Sequence, residues 1–322
     1  MRVAAIDCGT NSIRLLIADI DGNNFREVVR DMEIVRLGQG VDETGQFHPD
    51  AIARTLAAVD KFASEIAKRG VEKIRFCATS ATRDATNRHL FVDGVRDRLG
   101  IELEVISGDE EAALSFAGAI KDLDPSNGPF LVVDIGGGST EFVFGTDKVE
   151  FAKSMNIGCV RMSERHFTNG DPDPGQIAAA VEDIDEAIKQ AGKVVPITQA
   201  KTLVAVAGTA TTVAAAALEL DKYDRHLIHL SRISAQSVHK VAGLFQSMNK
   251  QELAAIGYMH PGRVDVITAG ALVLSRVMAA TGVSEFVASE SDILDGIDEN
   301  IWSEFGDEIV KVCKLNSGTA DK

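Results

Sequence analysis

The sequence predicts an α/β fold made of two similar domains with mixed sheets, and two observations carry this prediction. In each half of the chain, segments typical of strands precede segments typical of helices, which is a pattern of α/β architectures. A motif of apolar strand, Asp-x-Gly-x-x-Ser and apolar strand occurs twice, near residues 3–17 and 131–144. Such an internal repeat indicates two related domains that face each other, with a ligand between them. A chain of 322 residues has room for both.

Composition limits the classes of function. Hydrophobic residues make up 45% of the chain and charged residues 25%, which is typical of a globular protein. The net charge of −15 argues against binding to nucleic acid or to an anionic membrane. The four cysteines are far apart and form no Cys-x-x-Cys pair, which favours buried thiols in a reducing cytosol. Since neither a signal-peptide pattern nor an apolar run of membrane-spanning length is visible, we expect a cytoplasmic protein.

The first half is predicted to begin with three consecutive strands. Strands are expected at 3–6, 13–18, 25–35, 74–78 and 103–106, and helices at about 49–68, 89–99 and 108–121. The strands are short apolar runs, and the first helix has apolar residues at helical spacing. Pro49 occupies the first turn of that helix, where proline is tolerated. Ser107 is suited to cap the last helix, and residues 36–46 are expected to form a glycine-bearing loop.

One segment divides the chain into two domains. Residues 124–129 read Asp-Pro-Ser-Asn-Gly-Pro, and these turn-forming residues make it the clearest linker. The first domain is therefore expected to span 1–123. The second is expected to span 124–322, with helical insertions and a short frayed tail at 317–322.

The second domain is predicted to begin with its own strands and to continue mainly with helices. Strands are expected at 130–134, 140–144, 149–154, 203–207 and 285–288. Helices are expected after 158, at about 176–191, from 208, over most of 234–280 and from about 292. The helix after residue 158 carries Arg161 and Arg165.

Residues 134–141, here called the second turn, carry the main chemical signal. They read Asp-Ile-Gly-Gly-Gly-Ser-Thr-Glu between two apolar runs. Glycines allow several backbone N–H groups to point into one concavity, which is a site for an oxyanion. Asp134 and Glu141 bracket the glycines, and acids beside a phosphate repel it unless a divalent cation lies between them. The pattern indicates a phosphate and Mg²⁺ turn, with an ordinary glycine-rich hairpin as the alternative.

Residues 7–12, here called the first turn, repeat this motif near the N-terminus. They read Asp-Cys-Gly-Thr-Asn-Ser, again between two apolar runs. In the repeat Asp7 matches Asp134, Gly9 matches Gly136 and Ser12 matches Ser139. The repeat favours the phosphate interpretation over the hairpin, because a ligand between two domains would be held from both sides.

Four motifs in order resemble a known family. They are Asp-Cys-Gly-Thr-Asn-Ser at 7–12, Ala-Thr-Ser-Ala-Thr-Arg-Asp-Ala at 78–85, Ile-Ser-Gly-Asp-Glu-Glu-Ala at 106–112 and Asp-Ile-Gly-Gly-Gly-Ser-Thr-Glu at 134–141. Together they resemble the exopolyphosphatase / guanosine pentaphosphate phosphatase family, within the superfamily of actin, sugar kinases and chaperone ATPases. The resemblance runs from Val3 to about Ile297. It implies two ribonuclease-H-like (actin-like) domains with a cleft between them, and Mg²⁺-dependent hydrolysis of a terminal phosphoanhydride.

By this resemblance, Glu111 orients and deprotonates the attacking water. Spacing alone does not separate Glu111 from Asp109 and Glu110, since any of the three acids suits a helix N-terminus. Arg83 is the candidate for holding the terminal phosphoryl group, because a guanidinium offers paired donors to phosphate oxygens and stays charged. A surface arginine is the structural alternative, which the family motif around Arg83 disfavours.

The remaining candidates would bind metal and phosphate. Asp7, Asp134 and Glu141 are the expected carboxylates for Mg²⁺, with Mn²⁺ as a substitute, and some would act through water. The expected donors to phosphate oxygens are Asn11, Ser12, Gly137, Gly138, Ser139 and Thr140. Gly208 could open a third phosphate turn at a helix N-terminus. A glycine that allows close packing of strand and helix is an equally good interpretation of that position.

The leading hypothesis is an exopolyphosphatase that releases terminal orthophosphate from inorganic polyphosphate. Hydrolysis of guanosine pentaphosphate in the same cleft is the alternative. A phosphotransferase is less favoured because no sugar-binding segment is found, and a sensor without turnover is less favoured because Glu111 is present. No nucleic acid or membrane partner is expected, and a homodimer is considered.

Two departures from the family bear on substrate length. Larger members carry C-terminal helical domains that this chain is expected to lack. The family usually shows Gly-Leu-Arg-Glu-Gly near the end, whereas residues 292–296 read Asp-Ile-Leu-Asp-Gly, so Leu294 stands in place of the arginine. We therefore expect a preference for short chains and distributive action, unless a dimer builds a basic track across two subunits.

Overall fold

The computed structural model describes residues 1–21, 24–167 and 172–297. Within these residues the strands form two mixed sheets, one of five strands and one of six. The strands of the first sheet are β1 (Arg2–Cys8), β2 (Ser12–Asp21), β3 (Asn24–Ile34), β4 (Lys73–Ala78) and β5 (Glu104–Val105). The helices of this half are α1 (Val41–Thr44), α2 (Pro49–Arg69), α3 (Ser80–Asp84), α4 (His89–Leu99) and α5 (Gly108–Ile120).

The second sheet and its helices follow the linker. Its strands are β6 (Phe130–Ile135), β7 (Thr140–Gly145), β8 (Val149–Met155), β9 (Thr202–Val206), β10 (Arg232–Ser234) and β11 (Glu285–Ala288). The helices are α6 (Cys159–His166), α7 (Pro174–Ala191), α8 (Ala207–Ala217), α9 (Arg225–Ile228), α10 (Ala235–Ser247), α11 (Lys250–Ala254) and α12 (Ile267–Thr281).

The two sheets repeat one strand order. In the first sheet the order is β3-β2-β1-β4-β5, with antiparallel pairing among β1, β2 and β3 and parallel pairing of β1 with β4 and of β4 with β5. In the second sheet β8-β7-β6-β9-β11 has the same order and directions, and β10 is added at the edge. This repeat confirms the predicted fold class, an α/β protein with two mixed sheets of the ribonuclease-H-like (actin-like) kind.

The central strands β1 and β6 place the two turns. Both are buried along almost their whole length, which explains why their sequences are continuous apolar runs. Asp7 lies near the end of β1, and Asp134 lies near the end of β6. Each strand therefore delivers its acid and its turn to the same edge of its sheet.

Two segments each pack against the sheet of the other half of the chain. The buried face of α5 carries Ala112 and Phe116, which pack against Val132 and other apolar residues of the second sheet. The segment 292–297 returns to the first sheet, where Ile293 and Leu294 join an apolar cluster with strand residues of β1 and β2. The predicted boundary between residues 123 and 124 stays a prediction, but the packing of α5 shows that the halves are interlocked.

The structure differs from the predicted elements mainly in short segments. The predicted loop at 36–46 contains α1, whose ends are formed by two glycines with left-handed backbones, Gly40 and Gly45, at φ of 72° and 66°. The strand β10 and the helix α9 were not predicted, because three or four residues are too few to show periodicity. The predicted tail at 317–322 lies outside the described residues. None of the described helices is long and apolar enough to cross a membrane.

Candidate active site

A cavity of about 530 Å³ is lined by residues of both turns. The predicted site residues in its wall are Asp7, Asn11, Ser12, Glu111, Asp134, Gly137, Ser139 and Gly208. Arg83, Gly138, Thr140 and Glu141 are not part of this wall. The fold therefore brings most of the predicted residues, from both halves of the chain, around one space.

The first turn closes on itself, and the surrounding chain binds its carbonyl groups. The N–H of Gly9 donates to the carbonyl of Ser12 at 2.9 Å. The carbonyl of Thr10 accepts from the N–H of Gly38 at 2.9 Å, and the carbonyl of Asn11 accepts from the two N–H groups that follow β3. In a trans peptide the C=O and the next N–H point in opposite directions. The N–H of Asn11 therefore points away from Gly38.

The second turn has the same closure and a row of free donors. The N–H of Gly136 donates to the carbonyl of Ser139 at 3.0 Å. The three glycine carbonyls accept hydrogen bonds from backbone N–H groups at the start of α6. The carbonyl of Gly136 accepts from Cys159 at 2.9 Å, and that of Gly137 accepts from Val160 at 2.8 Å. The carbonyl of Gly138 accepts from Gly158 at 3.3 Å. The N–H groups of Gly137, Gly138 and Ser139 therefore point away from α6, and none donates to another residue of the described chain. Such a row of donors forms an anion-binding concavity.

The glycines of the second turn are required by its close approach to the first turn. A Cβ at Gly137 would lie 2.8 Å from the Cβ of Thr10. A Cβ at Gly138 would lie 2.8 Å from the Oγ1 of Thr10 and 2.7 Å from the Oγ of Ser80. The two hydroxyls are themselves 3.0 Å apart. The turns thus pack against each other at van der Waals distance, which only residues without a side chain allow.

Asp7 belongs to a buried charge network that the sequence reasoning missed. Its Oδ2 accepts from the Nε and Nη2 of Arg14 at 3.0 and 2.7 Å, and the Nη1 of Arg14 binds Asp292. Burial raises the pKa of Asp7, and Arg14 offsets part of the rise. Burial alone would lower the pKa of Arg14, but Asp292 and Asp7 raise it above its ordinary value. The Oδ1 of Asp7 is buried and has no hydrogen-bond partner among the described residues.

Asp134 and Glu141 are two further buried acids, and burial raises the pKa of both carboxyl groups. The Oδ2 of Asp134 accepts from the hydroxyl of Ser115 at 2.7 Å, and burial together with Glu141 raises the pKa of Asp134 to about 7. The Oε1 of Glu141 accepts from the hydroxyl of Ser154 at 2.7 Å, and burial raises its pKa as well. A cation placed among these acids would favour their charged forms.

Burial distinguishes Glu111 from its two neighbouring acids, Asp109 and Glu110. Asp109 and Glu110 are exposed, and Glu110 pairs with an arginine of β4, whereas Glu111 is 8% exposed and lines the cavity. The Nη1 of Arg83 donates to the Oε2 of Glu111 at 2.7 Å and to the carbonyl of Ile106 at 3.0 Å. Burial first, and then Glu141, raise the pKa of Glu111 well above its usual range, while Arg83 lowers it.

Arg263 is a cavity residue that no motif pointed to. A Cβ at Gly208 would overlap the guanidinium of Arg263, so the glycine is needed for this arginine to lie over the start of α8. Burial lowers the pKa of Arg263. In the described part of the chain no residue accepts a hydrogen bond from its guanidinium or pairs with it. At the predicted third turn, Gly208 therefore packs against the guanidinium of Arg263, and both residues line the cavity.

Thr140 does not reach the cavity as expected. Its side chain is fully buried, and its hydroxyl donates to the carbonyl of Ile157 at 3.0 Å. Because this bond supports the chain that leads into α6, Thr140 stabilises the turn from behind. Only the glycine and serine N–H groups are left as phosphate donors in this turn.

The cavity wall is rich in acids. Its acidic residues are Asp7, Asp31, Glu111, Asp134, Glu290 and Asp292. Arg14 is neutralised within the wall, and Arg30 is paired with Glu27 and Asp295. Since Arg14 and Arg30 are paired with acids, a polyanion would bind in this cavity through the backbone donors and Arg263, with added cations to offset the acids of the wall.

The carboxylates suit a cation that takes few protein ligands. Among the described residues, no three His, Cys, Asp or Glu side chains are close enough to form a metal cage. Mg²⁺ is commonly bound by one or two carboxylates together with water and substrate phosphates. Asp7, whose Oδ1 has no partner among the described residues, and the buried acid Asp134 both line the cavity and fit that mode of binding.

A family model and several known proteins match this chain. The model of the Ppx/GppA phosphatase family matches residues 16–297. The chain is 45% identical over 309 residues to Exopolyphosphatase 2 of Mycobacterium tuberculosis (strain CDC 1551 / Oshkosh), covering 92% of this chain and 97% of that protein. It is 34% identical over 188 residues to a guanosine-5'-triphosphate,3'-diphosphate pyrophosphatase of Vibrio parahaemolyticus, covering 58% of this chain and 37% of that protein.

A solved structure agrees with the fold. The crystal structure of an exopolyphosphatase-like protein superposes with a TM-score of 0.89 at 45% sequence identity. The match covers 92% of this chain and 96% of that chain. The similarity therefore extends over both sheets and the cavity between the turns.

Proposed function

This chain belongs to the Ppx/GppA phosphatase family, and we propose that it is an exopolyphosphatase, which hydrolyses the terminal phosphoanhydride of inorganic polyphosphate and releases orthophosphate. The observation that carries the proposal is the arrangement of the second turn and Glu111. The N–H groups of Gly137, Gly138 and Ser139 donate to no other described residue and are suited to bind an anion. Glu111, the buried acid of α5, lines the same cavity.

In this mechanism the donors of the second turn hold the terminal phosphoryl group, and Glu111 accepts a proton from water. The water oxygen forms a new P–O bond while the anhydride P–O bond breaks, so the shortened chain leaves with the electron pair. Only the Oε2 of Glu111 is bound to Arg83, which leaves Oε1 for the water. A raised pKa makes Glu111 a better proton acceptor than an ordinary glutamate near neutral pH.

Arg83 is proposed to serve both Glu111 and the phosphoryl group. Its Nη1 is used by Glu111 and by the carbonyl of Ile106. Its side chain is 23% exposed, and the remaining nitrogens have no partner in the described chain. These nitrogens are suited to bind phosphate oxygens once substrate is present. Arg263, which is also without a partner in the described chain, is proposed to hold a phosphate group farther from the cleaved bond.

Asp7 and Asp134 are proposed to bind Mg²⁺, for which Mn²⁺ could substitute, and Glu141 is proposed to contribute indirectly. Such a cation would neutralise charge on the transferred phosphoryl group. Support comes from the Oδ1 of Asp7, which has no partner in the part of the chain that the structure describes, and from the mutual repulsion of Asp134 and Glu141. Glu141 is not in the cavity wall, so it would act through water or through Ser139, which lowers its pKa by hydrogen bonding.

The guanosine pentaphosphate phosphatase activity is a second candidate for the same cavity, because a shorter stretch of the chain is similar to enzymes of that name. A cytoplasmic location and a homodimer are further proposals. The net charge of −15 supports the absence of nucleic acid and anionic membrane partners. Sedimentation of the purified protein would test the dimer.

Phosphate release from the purified protein tests the function. We would compare tripolyphosphate, long polyphosphate, guanosine pentaphosphate and ATP, each with and without Mg²⁺. The proposal expects Mg²⁺-dependent release from polyphosphate that exceeds release from the two nucleotides. Faster release from guanosine pentaphosphate would favour the second candidate, and release from no substrate would refute both.

A further inference from the structure

One arginine of α6 connects the second turn to two helices of the other half of the molecule. The Nε of Arg161 donates to the carbonyl of Gly138 at 2.7 Å. Its Nη2 pairs with the Oδ2 of Asp84 at 2.6 Å, and its Nη1 pairs with Asp42. The side chain is only 11% exposed. All three nitrogens are therefore engaged, one by the turn and two by acids from the first half of the chain.

The contact with Gly138 bears directly on phosphate binding. The carbonyl of Gly138 and the N–H of Ser139 belong to the same trans peptide, so they point in opposite directions. By holding the carbonyl, Arg161 fixes the direction of a free donor in the cavity wall. The guanidinium bond is charge-assisted and shorter than the competing bond from the N–H of Gly158, at 3.3 Å. Arg161 is therefore the main restraint on this peptide.

Because Asp42 and Asp84 hold Arg161, its restraint on the Gly138 peptide depends on the first half of the chain. Asp84 ends α3, the helix that also carries Ser80 and Arg83. The hydroxyl of Ser80 lies 3.0 Å from that of Thr10 in the first turn. Asp42 lies in α1, a second helix of the first half of the chain. A shift of α1 and α3 away from α6 would thus remove two of the three partners of Arg161.

Two other residues of α6 contact α1 and its N-terminal glycine and do not contact the second turn. The carboxylate of Glu164 accepts from the N–H of Gly40 at 3.1 Å. Arg165 lies one helical turn beyond Arg161, pairs with Asp42 at 3.4 Å and pairs with Asp183 at 2.7 Å. Arg165 therefore shares an acid partner with Arg161 but has no contact with the second turn. It offers a matched comparison on the same helix.

We propose that Arg161 is a positioning residue that links the approach of the two halves to the geometry of the second turn. When the acids of α1 and α3 are in place, Arg161 holds the Gly138 carbonyl and the Ser139 N–H is directed for phosphate binding. If α1 and α3 shift away from α6, Arg161 loses its acids and the peptide is free to reorient. The inference rests on the proposed function in that phosphate is the ligand, whereas the coupling itself concerns binding and not turnover.

The test compares Arg161→Gln with Arg165→Gln. Tripolyphosphate binding in the presence of Mg²⁺ would be measured by calorimetry in a Glu111→Gln background, and kcat and KM would be measured in the otherwise native protein. Arg161→Gln should weaken binding and lower kcat/KM by about tenfold or more, because a charge-assisted bond to the turn is lost. Arg165→Gln should stay within about twofold, although it also removes an ion pair with Asp42. Asp84→Asn should give an intermediate loss of binding.

Equal losses in the two arginine variants, or no loss in Arg161→Gln, would overturn the inference. If Arg161→Gln does not fold, as judged by circular dichroism, Arg161→Lys takes its place. Lysine keeps the charge but cannot bind three partners in the same geometry, so binding should still weaken, and unchanged binding would overturn the inference. A wild type that binds tripolyphosphate without releasing phosphate would refute the proposed function alone, and the binding comparison would still decide the role of Arg161.

Discussion

Glu111 is the residue on which hydrolysis is expected to depend most. Glu111→Gln keeps the shape of the side chain and its contact with Arg83 but removes the proton acceptor. We expect kcat to fall by about 10²–10⁴-fold, the usual contribution of a general base, while tripolyphosphate binding stays close to that of the wild type. Steady-state phosphate release and calorimetry would measure the two effects. Glu110→Gln is the control, since Glu110 is exposed and paired with Arg75. A larger loss in the control would move the assignment to Glu110.

Arg83→Lys is not expected to be conservative. Lysine has one ammonium group and cannot bind Glu111, the carbonyl of Ile106 and a phosphate oxygen in the planar arrangement of a guanidinium. We expect kcat to fall by about an order of magnitude or more. The control is Arg88→Lys, because Arg88 is exposed beyond the end of α3. Equal steady-state rates for Arg83→Lys and wild type would place Arg83 outside the reaction.

Metal binding at the buried acids has a readout that does not depend on activity. Mg²⁺ should raise the thermal unfolding temperature of the wild type, since the cation binds the folded acids and not the unfolded chain. Asp134→Asn removes one of the repelling charges, so the metal-free variant should unfold at a higher temperature than metal-free wild type and respond less to Mg²⁺. Asp109→Asn, at an exposed position outside the cavity, should keep the full response. The same Mg²⁺ response in both variants would contradict the assignment of Asp134.

At the scale of elements, two Gly→Ala changes should affect stability in opposite directions, one in the closely packed second turn and one inside a helix. Gly138→Ala places a Cβ within 2.8 Å of two hydroxyl oxygens, and such overpacking costs about 1–3 kcal/mol. Gly243 lies inside α10, and beyond its chain neighbours and the backbone of its own helix no atom lies within 4 Å of the added Cβ, so Gly243→Ala should raise stability by about 0.5–1 kcal/mol. Urea unfolding would measure both. A neutral Gly138→Ala with native activity would mean that the turns are not packed as described.

The turns and the longer helices were predictable because their signals are local. The motif of the second turn, the proline at the start of α2 and the N-cap Ser107 each act within a few residues, and each is found in the structure. Arg263 could not be placed because it meets Gly208 only through the packing of separate elements. A helix pattern shows which residues face a core, but not which cavity a polar residue at the helix end will reach.

At the scale of the whole molecule, the parts that escaped prediction are the contacts between distant segments. Arg14 and Asp292 are separated by 278 positions, and no local rule pairs them. The packing of α5 on the second sheet and of residues 292–297 on the first also crosses the expected boundary. Such contacts depend on how the two halves pack around the cavity. This packing determines which arginines remain available to substrate.

The last prediction concerns the length of polyphosphate that this surface can hold. The net charge is −15, and Leu294, which stands where the family usually has an arginine, is buried in an apolar cluster. A long polyanion would meet unfavourable potential outside the cavity, only partly screened at a Debye length of about 8 Å. Unless a dimer builds a basic track across two subunits, we expect the enzyme to release the chain after each cut and to prefer short chains. Gel analysis should show a ladder that shortens uniformly; full-length chains that persist beside free phosphate would show processive action instead.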